Sequence, residues 1–113
     1  MTMKRTRIDK PELAQAKAEI FKALGHPTRL MIVEALAERP HCVCELVELV
    51  PGAQPTTSRH LEVLRRAGVI RRYKDGVKMV YELALPCILK ALPCITDALR
   101  ERLAAQESAF QNL

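Results

Sequence analysis

The sequence QPTTSRHLEVLRRAGVIRRYKDGVKMVYEL constrains the fold most, because the spacing of its apolar residues changes at Gly68. Before this glycine, Leu61 and Leu64 lie on the inward face of a predicted helix. After it, apolar and polar residues alternate in VKMVYEL, which predicts a strand with VIRRYK as its partner. Asp75-Gly76 between them is a strong hairpin signal. A helix that passes directly into a hairpin leaves few possible folds.

Apolar residues at helical spacing predict four further helices. These run from Pro11 to about Leu24, from Pro27 to Pro40, from about Cys42 to Val50, and onward from Pro86. The third of them, the turn PGAQ and the helix opened by Pro55 form a helix-turn-helix pattern. We therefore predict a winged helix-turn-helix, mainly α with a two-stranded β-wing. Residues 1–10 would be a flexible basic arm, 11–106 the domain and 107–113 a C-terminal tail.

The last predicted helix carries an apolar stripe that is too long to be covered by so small a body. Its members are Ile88, Leu92, Ile95, Leu99 and Leu103. A helix from a second copy of the chain would bury the stripe, so we expect a homodimer formed through terminal helices.

Positive charge is concentrated in one segment of the 113-residue chain. Residues 59–78 contain seven basic and two acidic side chains, so this segment accounts for the +5 net charge of the whole chain. Such clustering suits double-stranded DNA, and a solvated basic face is the alternative. No apolar run is long enough to span a membrane and no secretory signal is visible, so we expect a cytosolic location. Cysteines are normally reduced there, which argues against a disulfide framework.

The candidate DNA-binding residues lie at the start of the second helix of the pair and in the wing. They are Gln54, Thr56, Thr57, Ser58, Arg59, His60, Arg72, Lys74 and Lys78. The residues from Gln54 to His60 lie where a recognition helix enters the major groove, and the wing cations would bind backbone phosphate. Thr56, Thr57 and Ser58 could instead form a plain polar helix start, and His60 could be a packing residue.

The stretches LGHPTRLMIVEAL, CVCELVELV and QPTTSRHLEVLRRAGVIRRYKDGVKMVYEL, with the closing helix, resemble the ArsR/SmtB family of bacterial metal- and stress-responsive repressors. The resemblance covers most of residues 13–103. It implies a homodimeric repressor that binds a pseudo-palindromic operator and dissociates from it when an inducer binds. It implies no enzymatic activity and no required cofactor.

Cys42 and Cys44 match the two close ligands of the arsenic- and antimony-responsive branch of that family, which implies As(III) or Sb(III) as inducer. The third cysteine of that branch is replaced by Val47. On a regular helix, residues two apart point about 200° apart, so we expect ion binding to need local unwinding at the helix start. His41 is a possible further ligand, and the absence of histidine from the last helix argues against zinc sensing there.

Cys87 and Cys94 are either further metal ligands, redox partners or packing residues. They lie about 10 Å apart along a helix axis, so they cannot pair with each other unless Pro93 breaks the helix. A link from one of them to Cys42 or Cys44 would make a thiol redox or persulfide sensor, which is the alternative function. A thiol oxidoreductase is disfavoured because there is no C-x-x-C motif, and an unregulated nucleoid-type protein is the remaining rival.

Overall fold

The computed structural model describes residues 10–111. Its elements are, in order, α1 (Pro11–Leu24), α2 (Pro27–Glu38), β1 (His41–Cys42), α3 (Val43–Leu49), α4 (Gln54–Arg66), β2 (Ile70–Asp75), β3 (Lys78–Leu83) and α5 (Ile88–Gln111). The predicted fold class is confirmed, with five helices and an antiparallel wing. The predicted arm of residues 1–10 lies outside the described residues apart from Lys10.

Local chemistry sets the ends of the helices that form the helix-turn-helix. Pro55 lies in the first turn of α4, where its missing N–H removes no intrahelical bond. Gly68 ends this helix with a φ of +86°, a conformation that glycine adopts without strain. The N–H of Val69 then donates to the carbonyl of Leu64 at 3.1 Å, which turns the chain directly into β2.

The sheet has three antiparallel strands in the order β1-β3-β2. Asp75 lies opposite Lys78, so the two turn residues are Gly76 and Val77, one position later than the predicted Asp75-Gly76 turn. Gly76 takes the positive φ that this turn requires. Strand β1 was not predicted, and it pairs Cys42 with Val80 in the wing.

The core lies between α2, α3, α4 and the base of the wing, and it is almost entirely aliphatic. Its largest fully buried side chains are Ile32, Leu46, Leu61, Leu64, Ile70, Val33, Val69 and Thr57. Each such aliphatic side chain stabilises the fold by about 1.5–3 kcal/mol relative to full exposure. Because these residues come from four different elements, the core fixes α4 relative to both α3 and the wing.

Helix α5 continues on both sides of Pro93 and runs beyond residue 106 to Gln111. Ile88 is buried, but Ile95, Leu99 and Leu103 remain 54%, 47% and 60% exposed. The predicted division between domain and tail at residue 106 stays a prediction. Within residues 10–111, no helix combines the length and the apolar character needed to cross a membrane.

Candidate DNA-binding surface and thiol site

The first turns of α4 present polar side chains on the surface. Gln54, Thr56, Ser58 and Arg59 are exposed, and no side chain caps the helix start. Among the described residues, Arg59 makes no ion pair. These four side chains are therefore free to meet a ligand that approaches the start of α4.

Thr57 does not belong to that surface. Its side chain is fully buried, and its hydroxyl donates to the carbonyl of Ala53 at 3.4 Å. A side chain without accessible surface cannot contact DNA while α4 keeps this position. The assignment of Thr57 to DNA binding is therefore corrected, and the residue is part of the core.

His60 is half-buried and contacts protein groups. Its Nδ1 accepts a hydrogen bond from Nε of Arg29 at 3.2 Å, and its ring lies 4.5 Å from that of His26. Desolvation by burial is the main cause that lowers the pKa of His60, and the positive charges of His26, Arg29 and Arg59 lower it further. These contacts favour the packing role over the phosphate contact.

Two arginines near the end of α4 already have an anionic partner. Glu62 accepts from Arg65 at 2.8 Å and from Arg66 at 2.9 Å. These two bonds lower the pKa of Glu62 to about 2, so the carboxylate stays charged and offsets part of their charge. Arg59 is thus the arginine of α4 without an ion pair among the described residues, while Arg65, Arg66 and Glu62 together keep one net positive charge.

The wing cations divide between two faces of the sheet. Arg72 and Lys74 are two residues apart on β2 and share one face. Lys78 lies opposite Asp75, which places its side chain on the other face. On that face a cavity of about 370 Å³ is lined by Pro40, Cys42, Cys44, Glu45, Tyr73, Asp75, Lys78 and Val80. The structure therefore separates Lys78 from the other two predicted wing contacts and puts it beside the cysteine pair.

Cys42 and Cys44 are joined by a disulfide, with their Cα atoms 5.3 Å apart. Cys42 is in strand β1 and precedes α3 with φ −76° and ψ 161°, whereas Cys44 is inside the helix. The expectation that the two sulfurs diverge by about 200° is wrong because only one of these residues is helical. No unwinding is needed to bring them together. The expectation of reduced cysteines is also corrected for this pair.

The sulfur of Cys42 also takes part in capping α3. It accepts from the N–H of Glu45 at 3.4 Å, and Oε1 of Glu45 accepts from the N–H of Cys42 at 3.0 Å. Arg39 binds the other carboxylate oxygen at 2.9 Å, and this bond is the main cause that lowers the pKa of Glu45 to about 2. Chemistry at Cys42 therefore acts on the start of α3.

The structure does not gather the four cysteines. Cys87 and Cys94 are free and exposed, one just before α5 and one inside it. In the part of the chain that the structure describes, no group of three or more His, Cys, Asp or Glu residues could hold a metal ion. His41 is buried, and its Nδ1 donates to the carbonyl of Arg39 at 2.8 Å.

Sequence reasoning missed three residues of this region. Arg29 was read only as part of a helix start, although it contacts His60 on α4. Tyr73 and Val80 were read as wing residues, although both line the cavity beside the cysteines. Only the pairing of β1 with β3 brings them there, and a strand of two residues leaves no periodic signal.

A helix-turn-helix with an exposed polar start of α4 and a basic wing defines a winged helix-turn-helix DNA-binding protein. Residues 26–72 match the family model described as "Bacterial regulatory protein, arsR family". The chain is 38% identical over 102 residues to the HTH-type transcriptional regulator Rv0081 of Mycobacterium tuberculosis, covering 89% of this chain and 90% of that protein. The chain belongs to the ArsR family. It is a DNA-binding transcriptional regulator and not an enzyme.

Solved structures agree with this assignment. The crystal structure of M. tuberculosis Rv0081 matches with a TM-score of 0.74 at 39% identity, covering 87% of this chain and 98% of that one. The transcriptional repressor BigR from Xylella fastidiosa matches with a TM-score of 0.68 at 34% identity, covering 80% and 96%. The homodimeric DNA-binding domain of Mb0332 from Mycobacterium bovis matches at 23% identity with a TM-score of 0.74, covering 91% and 94%, which shows likeness of fold alone.

Proposed function

We propose that the chain is a homodimeric repressor that is released from its operator by chemistry at Cys42 and Cys44. One observation carries this proposal. Cys42, whose sulfur is bonded to that of Cys44, caps α3 and also pairs with wing strand β3. The similarity to BigR, a transcriptional repressor, supports repression as the direction of control.

Operator binding would use the start of α4 and one face of the wing. Gln54 and Arg59 have the side chains that pair with base edges, and Thr56 and Ser58 can reach phosphate or bases at close range. Arg72 and Lys74 would bind backbone phosphate beside the groove. All six side chains are exposed.

Dimer formation would cover apolar residues that one chain leaves exposed. Ile95, Leu99 and Leu103 recur along α5, and Leu13 and Phe21 on α1 are 48% and 73% exposed. Several large apolar side chains exposed along the same two helices indicate an interface rather than a solvated face. Mb0332, which shares the fold, is homodimeric.

The inducer we favour is arsenite or antimonite. Two sulfurs close enough to bond to each other can bind one soft ion with little movement, and thiolates are its preferred ligands. In the reduced protein, Cys42 and Cys44 would each give up a proton and form a bond to arsenic, and arsenious acid would release two waters. The described residues of one chain supply no third thiolate beside this pair, so the third position would keep a hydroxide or take a sulfur from the second copy.

The signal would travel by two direct contacts. Helix α3 packs against α4, and β1 is hydrogen-bonded to β3. A ligand on both sulfurs would change the capping of α3, which stabilises a helix by about 1 kcal/mol. It would also affect the wing, because Cys42 is the residue that pairs with Val80 of β3.

A thiol redox switch is the second candidate, and the disulfide itself favours it. Hydrogen peroxide would oxidise the two thiols to this disulfide and be reduced to two waters; an organic hydroperoxide would give one alcohol and one water. The oxidised pair cannot bind arsenite, so the two signals would compete for the same atoms. A link to Cys87 or Cys94 is not needed for this mechanism.

A release titration of the reduced dimer on labelled operator DNA tests the proposal. Arsenite, antimonite, cadmium, zinc, polysulfide and peroxide are added in turn to the wild type, to Cys42→Ser/Cys44→Ser and to the matched control Cys87→Ser/Cys94→Ser. We expect the first double variant to bind DNA but to ignore arsenite, and the control to respond like the wild type. A normal arsenite response without Cys42 and Cys44 would refute the assignment, and release by peroxide alone would select the redox candidate.

A further inference from the structure

Three side chains form a cluster that connects α4 to the rest of the domain, here called the His26–Arg29–His60 cluster. Nε of Arg29 on α2 donates to Nδ1 of His60 on α4 at 3.2 Å. Nη1 of the same guanidinium donates to the carbonyl of Ala23, near the end of α1, at 3.0 Å. The ring of His26 lies 4.5 Å from that of His60. Arg29 on α2 thus connects α4 with α1.

Both histidines of the cluster are hydrogen-bond acceptors at Nδ1. Arginine has no acceptor atom, so His60 must offer an unprotonated Nδ1 to Arg29. His26 likewise accepts the backbone N–H of Thr28 at 3.1 Å, which caps α2. An imidazolium has no free lone pair, so protonating Nδ1 of either ring breaks its bond. His41 differs, because its Nδ1 faces a carbonyl and must carry a proton.

We propose that Arg29 is a positioning residue for operator binding, which holds α4 through neutral His60 and makes the affinity for operator DNA fall as the pH falls. The proposal rests on the proposed use of α4 as the recognition helix. Arg29 is half-buried and uses Nε and Nη1 on acceptors within the chain, so this role needs no contact with DNA.

The groups around His60 make a second positive charge unfavourable. They are His26 from the turn, Arg29 from α2 and Arg59 from α4, and each disfavours the protonated ring. On the α1 side, Glu19 and Lys22 line a cleft together with Arg29 and Arg66. Because the pKa of His60 is lowered in this arrangement, the arrangement is favoured while the ring is neutral and is lost as the pH falls below the ordinary histidine value of about 6.5.

A phosphate contact by His60 would give the opposite dependence. Protonation would add a positive charge beside the DNA, and operator affinity would rise on acidification. The sign of the pH dependence therefore distinguishes a positioning histidine from a DNA-contacting one.

The test measures operator Kd by fluorescence anisotropy from about pH 8 to about pH 5.5, a range that spans the ordinary pKa of histidine. The wild type should lose roughly tenfold in affinity towards acid, the size expected when each of the two subunits loses one hydrogen bond of this kind. Arg29→Ala and His60→Ala should bind roughly tenfold more weakly at pH 8 and show little further loss. His60→Gln should recover most of the affinity at pH 8, because its amide oxygen can accept from Arg29, and should lack the pH dependence.

Lys90→Ala on α5 is the control, because it removes an exposed positive charge outside the cluster and outside the apolar stripe of α5, and it should keep the wild-type pH profile. Imidazole ¹⁵N shifts of the free dimer give a readout that does not depend on DNA. His26 and His60 should carry their proton on Nε2 at neutral pH, and His41 on Nδ1.

A wild-type Kd that tightens towards acid, an unchanged pH profile in His60→Gln, or a proton on Nδ1 of His60 would each overturn the proposal. Loss of operator binding in the wild type at pH 8 would instead refute the proposed function, and the ¹⁵N shifts would still test the cluster.

Discussion

Replacing the adjacent threonines Thr56 and Thr57 one at a time with valine tests which face of α4 meets DNA. The two residues are chemically identical, and the structure separates them completely. Thr56 is exposed at the helix start, whereas Thr57 has no accessible surface. Valine has nearly the shape of threonine, so each substitution removes a hydroxyl without creating a cavity.

The effect on stability follows from the contacts of Ala53. Its carbonyl accepts the hydroxyl of Thr57 at 3.4 Å and also the backbone N–H groups of Thr56 and Thr57 at 3.0 and 3.1 Å. Thr57→Val therefore leaves this carbonyl with two donors. The lost hydrogen bond contributes about 0.5–1.5 kcal/mol, and burying a methyl instead of a hydroxyl offsets part of it. We expect the free energy of unfolding to change by less than about 1.5 kcal/mol.

The assay pairs urea unfolding with operator binding measured by fluorescence anisotropy. Thr57→Val should keep operator Kd within about twofold of the wild type, since no atom at the surface changes. Thr56→Val should keep its unfolding free energy within about 0.5 kcal/mol and lose at least about fivefold to tenfold in affinity, the size of one lost polar contact in each subunit of the dimer. A Thr57→Val protein that unfolds normally but binds more than tenfold more weakly would show that Thr57 contacts DNA and that α4 is turned differently.

Three further predictions concern the charged groups. Arg59→Ala should weaken operator binding by roughly thirtyfold or more at an unchanged unfolding midpoint, because a base contact by arginine contributes about 1–3 kcal/mol and the homodimer loses two, and retained affinity in a gel-shift titration would contradict its role. Arg72→Ala and Lys74→Ala should each reduce the slope of log Kobs against log salt by about 1.8, because the homodimer carries two copies of each residue, whereas Lys78→Ala, on the other face of the wing, should leave it unchanged; an equal effect of all three would refute the division of faces. Arg39→Met should raise the pKa of Glu45 above its value of about 2. The ionised carboxylate adds stability above its ordinary pKa of about 4.3, and on acidification the variant should lose this stability at higher pH than the wild type. Carboxyl NMR titration and acid unfolding would detect these changes.

The periodic elements were predictable because their signals are local. The apolar spacing around Leu61 and Leu64 and the alternation in VKMVYEL gave α4 and the wing within a residue or two of their bounds. Positions that depend on contacts distant in sequence were not predictable. Thr57 faces the core because of how α4 packs on its neighbours. In a run of polar residues, the sequence alone does not indicate which side chain is buried.

The cysteine pair shows the same limit more sharply. The spacing of Cys42 and Cys44 was visible, but their geometry depended on where α3 begins. If the helix started one residue earlier, the sulfurs would diverge. The residue that ends up outside the helix does so because it pairs with Val80, which lies 38 positions further along the chain. A two-residue strand with a partner so far away leaves no pattern in the sequence around it.

This pairing also changes how a signal at the cysteines would reach the DNA. From the sequence, ion binding was expected to act by local unwinding at the start of α3. In the structure Cys42 contributes its sulfur to the cap of α3 and its backbone to the edge of the wing sheet. The two contacts lead to the two elements that we propose bind DNA, so a change at one residue would alter both α4 and the wing. Losing a small contribution from each would weaken binding multiplicatively, because the free energies of independent contacts add. A small rearrangement at Cys42 would then be sufficient for release, without any unfolding of α3.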